Sequence, residues 1–205
     1  FTTAYKKIGH VQVVGEPTAL PDGFLRNCSA IKEFEIPKTI QTIGVEAFKG
    51  TALLVINLPS GLKSIGNSAF YGLTAPSVLI LPEGLEVIGG SAFYGCSSIT
   101  EVEIPMWVER LEASTFASCA KLVKVVLPAS LTSINGTAFS NDAAIRSVSL
   151  SGDLGAVKTI FPNAYDEISE VTIDEDSSGL CEGFMDGCKS VLAVGVPAGG
   201  KTIGK

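Results

Sequence analysis

Cys96-Ser-Ser-Ile-Thr-Glu-Val-Glu-Ile-Pro105-Met-Trp-Val-Glu-Arg-Leu-Glu-Ala-Ser-Thr-Phe116 decides the fold. Ile99–Ile104 reads as a strand. Successive side chains of a strand point to opposite faces, so Val102 and Ile104 face one way and Glu101 and Glu103 the other. Pro105 follows where a missing N–H is tolerated, at a strand end. Val108, Leu111 and Phe116 then supply further apolar walls of one small coil.

The same phrase recurs along the chain. Pro59, Pro82, Pro105 and Pro128 are each 23 residues apart, and the same step lands on Ser151, Asp174 and Pro197, while Pro37 to Pro59 is 22. Each proline is preceded by an alternating segment, as in Ile31–Ile36, Leu53–Leu58 and Leu122–Leu127; stepping back from Ile31 reaches Ile8, Val11 and Val13, which makes nine copies. After the proline comes Leu-x-x-Ile and then Ala-Phe: Leu62, Ile65, Ala69 and Phe70; Leu85, Ile88, Ala92 and Phe93; Leu131, Ile134, Ala138 and Phe139. The inward positions, from Phe34/Ile36 through Val102/Ile104 to Val194/Val196, are apolar throughout. One coil buries too few of them to offset the entropy of ordering its backbone. Stacked coils share a continuous core, which makes a solenoid the only stable reading. Nine strands at ~4.8 Å spacing predict a sheet about 40 Å long.

These residues resemble the BspA-like, or treponemal-type, leucine-rich repeat family. Its pattern is similar to Cys-x-x-Leu-x-x-Ile-x-Leu-Pro-x-x-Leu-x-x-Ile-x-x-x-Ala-Phe, of which Cys96–Phe116 is a nearly complete copy and Leu53–Phe70 lacks the Cys. The resemblance implies an α/β-type leucine-rich repeat fold. That is a right-handed solenoid of ~23-residue repeats, with a parallel β-sheet on one face and short helical turns or loops on the other. It also implies surface-exposed or secreted binding proteins, some of them adhesive toward matrix proteins, host cells or other microbes, with no catalytic residues to transfer. Two copies depart from the pattern. Val157–Tyr165 looks like Leu62–Phe70 displaced by three residues, which is the favoured register; the alternative uses Leu154, Val157 and Phe161. Phe184 falls one place early. The whole of 1–205 reads as a single solenoid, and its ends lack the atypical terminal repeats that normally cap one. A piece of a longer protein is the expectation.

Composition agrees. The chain is 205 residues long, 46% hydrophobic and 18% charged, which is not a disordered composition. Its apolar runs are too short for a bilayer helix, and no basic start with an apolar run opens it as a signal peptide. A net charge of −6 argues against a nucleic-acid footprint.

Several motifs invite chemistry. Gly195–Thr202 matches the phosphate-loop spacing, but in phase with Asn57–Ser64 of the repeat and without the helix such a loop requires. Asp174–Gly179 begins like a calcium loop, yet the twelfth place is Met185, so an acidic turn is expected. Glu33/Glu35 and Glu101/Glu103 have a spacing compatible with glycosidase carboxylates, but on an open face. His10 is read as solvated. Five cysteines leave at least one unpaired. Cys96 and Cys119 share a rung and read as buried thiols, with a Cys181–Cys188 pair as an open alternative. No cofactor is expected.

The candidate binding surface is the outward side of the strands: Val55, Asn57, Val78, Ile80, Glu101, Glu103, Lys124 and Val126, an apolar strip with a charged rim. The expected function is a non-catalytic protein-binding or adhesion module at the cell surface or secreted. Its partner would be an extracellular-matrix, host or microbial surface protein. A spacer projecting another domain is the alternative, and a carbohydrate-binding or carbohydrate-processing module is the third.

Overall fold

A computed structural model describes residues 7–174, 177 and 180–195. Most of the phosphate-loop match and four residues of the acidic turn lie outside them, as do the inward position Val196 and the ruler position Pro197.

The chain winds into stacked coils, and every strand pairing is parallel. On the wall that precedes the prolines, β5 (Glu101–Glu103), β7 (Lys124–Val126), β9 (Ser147–Leu150), β10 (Glu170–Ile173) and β11 (Ala193–Gly195) form one five-stranded ladder. Glu101 pairs with Lys124, Lys124 with Ser147, Ser147 with Glu170 and Glu170 with Ala193, a step of 23 each time. A second ladder runs along the Leu-x-x-Ile wall, which the sequence did not reveal as strand. It comprises β1 (Ala19–Leu20), β2 (Thr42–Ile43), β3 (Ser64–Ile65) and β4 (Val87–Ile88), and then, as a separate pair, β6 (Arg110–Leu111) and β8 (Ser133–Ile134).

The expected nine-stranded sheet is therefore five strands long. The four earlier segments, 8–13, 31–36, 53–58 and 76–81, lie in phase but outside the ladder. Ala52 N to Ile31 O and Leu54 N to Lys32 O join the second and third only at their start. Pro76 brings no N–H to the fourth. Tight stacking moves to the other wall there because of glycine. A Cβ on Gly66 would lie 2.7 Å from the backbone of both Gly44 and Val45, and one on Gly89 2.5 Å from Asn67 N. The next positions in that column are Glu112 and Asn135, and the second ladder breaks between β4 and β6 where the glycines end.

A third column of hydrogen bonds stitches the Ala-Phe wall: Phe48 N to Ala69 O and Phe70 N to Ala92 O at 2.8 Å, Phe93 N to Thr115 O and Phe116 N to Ala138 O at 2.9 Å. Just before each Ala-Phe (or Thr-Phe) the backbone turns left-handed, at Glu46, Ser68, Ser91 and Ser114 with φ of 55° to 57°. Short polar residues tolerate that conformation better than branched apolar ones. Inside, Phe48, Phe70, Phe93, Phe116 and Phe139 stack in file with centroids 5.1, 5.4, 5.3 and 5.8 Å apart and planes within 8°. The aromatic column expected from the repeat is present.

The copy after Ser151 takes the alternative register. Phe161, not Tyr165, continues the aromatic column, 5.1 Å from Phe139. A large apolar ring placed 22 residues after Phe139 fills the core better than a phenol whose hydroxyl needs a polar partner. The short helix α1 (Val157–Ile160) absorbs the shift and buries Val157 and Ile160. Phe184, 23 residues after Phe161, is buried in turn. Val194, expected inside, is half-exposed on the last described coil.

Candidate functional site

The outward strand positions divide between two grooves. Val78, Ile80, Glu101, Glu103, Lys124 and Val126 line one groove of about 970 Å³. Val55 and Asn57 line its neighbour with His10, Gln12, Glu33 and Glu35. The strip is thus two depressions rather than one.

The first groove sits where hydrogen bonding changes walls. On one side is the unladdered segment 76–81; on the other is β5, the edge of the five-stranded ladder. Alternation sends Leu79 and Leu81 into the core and leaves Val78 62% and Ile80 74% exposed. In β5 Val102 is buried while Glu101 and Glu103 face solvent. The register sets Glu101 beside Lys124, and Glu103 beside half-buried Val126.

Two residues that sequence reasoning missed complete this groove. Met106 and Trp107, after Pro105, are 61% and 60% exposed and belong to its lining. The signal was legible: other copies carry Lys38-Thr39, Ser60-Gly61, Glu83-Gly84 or Ala129-Ser130 at this place, and Trp107 is the single tryptophan of the chain. Isolated exposed apolar residues are ordinary. Val78, Ile80, Met106 and Trp107 around one groove are a patch of the kind that marks interaction surfaces. The groove is open to solvent, and Glu101 and Glu103 stand exposed within it.

A second set of polar and thiol groups lies in the core. Cys28, Thr51, Leu73, Cys96, Cys119 and Asp142 form one column at successive coils. All five cysteines are free. Cys96 Sγ donates to Phe70 O at 3.3 Å and Cys119 Sγ to Phe93 O at 3.4 Å. Burial pushes the Cys96 thiol up to about 12 and Cys119 higher still, so neither is a nucleophile at neutral pH. Asp142 is fully buried; its Oδ1 accepts from Cys119 N at 2.7 Å, and its Oδ2 has no hydrogen-bond partner. Desolvation raises its pKa to about 7 against the opposing pull of the amide hydrogen bonds. Among the described residues no helix is long and apolar enough to cross a membrane.

Comparison with known proteins places this geometry. The model for the BspA type leucine rich repeat region matches residues 18–146 and 86–205, in six copies. Curated proteins give no match. Among solved structures, a leucine-rich repeat protein from Bacteroides ovatus superposes with a TM-score of 0.58 at 22% identity, over 92% of this chain and 54% of that one. The T. pallidum leucine rich repeat protein gives 0.57 at 23%, over 82% and 68%. The pneumococcal vaccine antigen PcpA gives 0.56 at 17%, over 78% and 42%. The chain thus spans about half the length of the Bacteroides ovatus protein, and at these identities the likeness is one of fold. With the repeat model covering most of its length and the coils stacked as that repeat requires, the chain belongs to the BspA-type leucine-rich repeat family.

Proposed function

We propose that this chain is a non-catalytic protein-binding module of a cell-surface or secreted protein, and that it engages its partner through the outward side of its strand-bearing wall, where segment 76–81 borders β5. The observation that carries this reading is the cluster of Val78, Ile80, Met106 and Trp107, exposed together around one groove with Glu101 and Glu103 beside them. Aromatic and aliphatic anchors within a polar rim are the usual anatomy of a protein interface. A leucine-rich repeat supports the reading, since stacked coils present extended curved surfaces for binding. So does the likeness in fold to a pneumococcal vaccine antigen. Matrix proteins and the surfaces of host or microbial cells are the proposed partners.

The test is a binding screen of the purified chain against matrix proteins and cells, repeated with Val78→Lys/Ile80→Lys. Both positions are exposed, so the variant is expected to fold normally and to lose at least about tenfold in affinity, as loss of central anchors does. Undiminished binding by a folded variant would remove this face from consideration.

A further inference from the structure

We infer that the partner at the Val78–Trp107 groove presents an extended segment with Lys or Arg at alternate positions and an apolar residue at the end that meets Trp107. This rests on the reading of that face as the binding surface. Three features of the groove select that chemistry.

The first is charge. Glu83, Glu101, Glu103 and Asp174 line the groove, and Lys124 is the one cation among the described lining residues. Lys124 stands beside Glu101 in the ladder, which leaves the Glu103 side of the groove the more acidic. The whole chain carries −6, so its long-range field attracts a cationic partner as well.

The second is spacing. Val78 and Ile80 are two residues apart on one coil, and Glu101 and Glu103 are two apart on the next. In an extended segment alternate side chains on one face recur every ~6.6–6.8 Å, the same repeat. Each Lys or Arg of such a segment can lay its methylene stem on Val78 or Ile80 and carry its charge to Glu101 or Glu103. Long cationic side chains commonly divide themselves between apolar and wet surroundings in this way. An acidic or purely aliphatic segment satisfies one row and not the other.

The third is the end of the track. Met106 and Trp107 leave the coil just after the strand, at the Glu103 end. They offer a soft, polarizable contact for one apolar side chain, and Trp is among the strongest anchors at interfaces.

The experiment titrates the full chain with labelled peptides of about ten residues. Alternating Val-Lys, Val-Glu and Val-Gln sequences, each ending in Leu, are followed by anisotropy and by the emission of Trp107, the only tryptophan in the chain. The Val-Lys peptide is expected to bind saturably, to shift the Trp107 emission, and to weaken several-fold when salt rises from about 0.05 to 0.5 M. Glu101→Lys/Glu103→Lys should turn the preference to the Val-Glu peptide. Equal or tighter binding of Val-Glu or Val-Gln overturns the inference, as does failure of all three. If such binding is still abolished by Val78→Lys/Ile80→Lys, the face stands as a binding surface and only the cationic partner falls. If Val-Lys binding survives Val78→Lys/Ile80→Lys, the face itself is excluded. A Trp107 response to soluble glycans and to none of the peptides would put a sugar in place of the basic segment.

Discussion

Asp142 stands where the two preceding coils carry Cys119 and Cys96, and a carboxyl in that column has consequences a thiol lacks. Its folded pKa of about 7 lies above the ordinary 3.8, so between those values the native state holds a proton that the unfolded chain has released. Stability from this site is complete below about pH 4 and is lost as pH rises through about 7. Three units correspond to roughly 4 kcal/mol at most, at 1.36 kcal/mol per unit. Asp142→Asn keeps an oxygen for Cys119 N and removes the titration. The melting temperature of the wild type, taken relative to Asp142→Asn, is expected to fall from pH 4 to about 7 and then to level off; a constant difference across that range would show that folding does not raise the Asp142 pKa. Thiol chemistry in the same column runs the other way. Cys96 and Cys119 should react slowly with alkylating reagents in the folded state, because burial holds both thiols protonated.

Among the elements, the two ladders divide the work. The glycine column at Gly44, Gly66 and Gly89 holds β1 to β4 together, and the five-stranded ladder takes over from β5. Gly66→Ala drives a methyl into the backbone of Gly44 and Val45, which cannot rotate away. A loss of about 1–3 kcal/mol is expected in urea unfolding, the usual cost of overpacking. Gly61→Ala, whose methyl meets only Lys38 O at 3.9 Å, is expected to be within about 0.5 kcal/mol of wild type. Hydrogen exchange should show the same division. The amides of Val125 and Val148, in the ladder, are expected to be protected, and those of Val78 and Ile80 to exchange much faster. Equal protection would mean that the 76–81 segment is paired in solution.

Much of this could be read from the residues alone, and what could not has a physical cause. The inward set and the phenylalanine file were legible because they are repeated chemistry at a fixed step. Two-residue strands such as Ser64–Ile65 were not, since alternation needs more than two positions to show itself. Gly44, Gly66 and Gly89 were plain in the sequence, but their effect depends on how closely one coil approaches another. Val157–Tyr165 matched more of the repeat pattern than the alternative register did, yet packing chose Phe161, because ring volume in the core outweighs pattern. Alternation sufficed to mark Val55, Val78 and Ile80 as exposed, but the division of the outward positions into two grooves and the addition of Trp107 depend on where the coils part.

At the scale of the molecule, the core is a line rather than a ball. Phe93 is fully buried between Phe70 and Phe116, and each coil touches chiefly its two neighbours. Phe93→Ala is expected to cost about 3–5 kcal/mol. Its effect should spread unevenly, with exchange rates rising in the adjacent coils first and least at Phe161. Uniform acceleration would indicate a single cooperative unit.

The aromatic file also tolerates imperfect counting. Phe48 to Phe70 and Phe139 to Phe161 are steps of 22 residues where the others are 23, and both pairs keep their rings 5.1 Å apart. The corners outside the file therefore take up the missing residue. A chain built this way can drift by a single codon within a module and keep its ring spacing, at the cost of no more than a tilt between rings, 43° at Phe139–Phe161. Evolution is then free to set the length of the outward face by copy number while tuning its chemistry one side chain at a time.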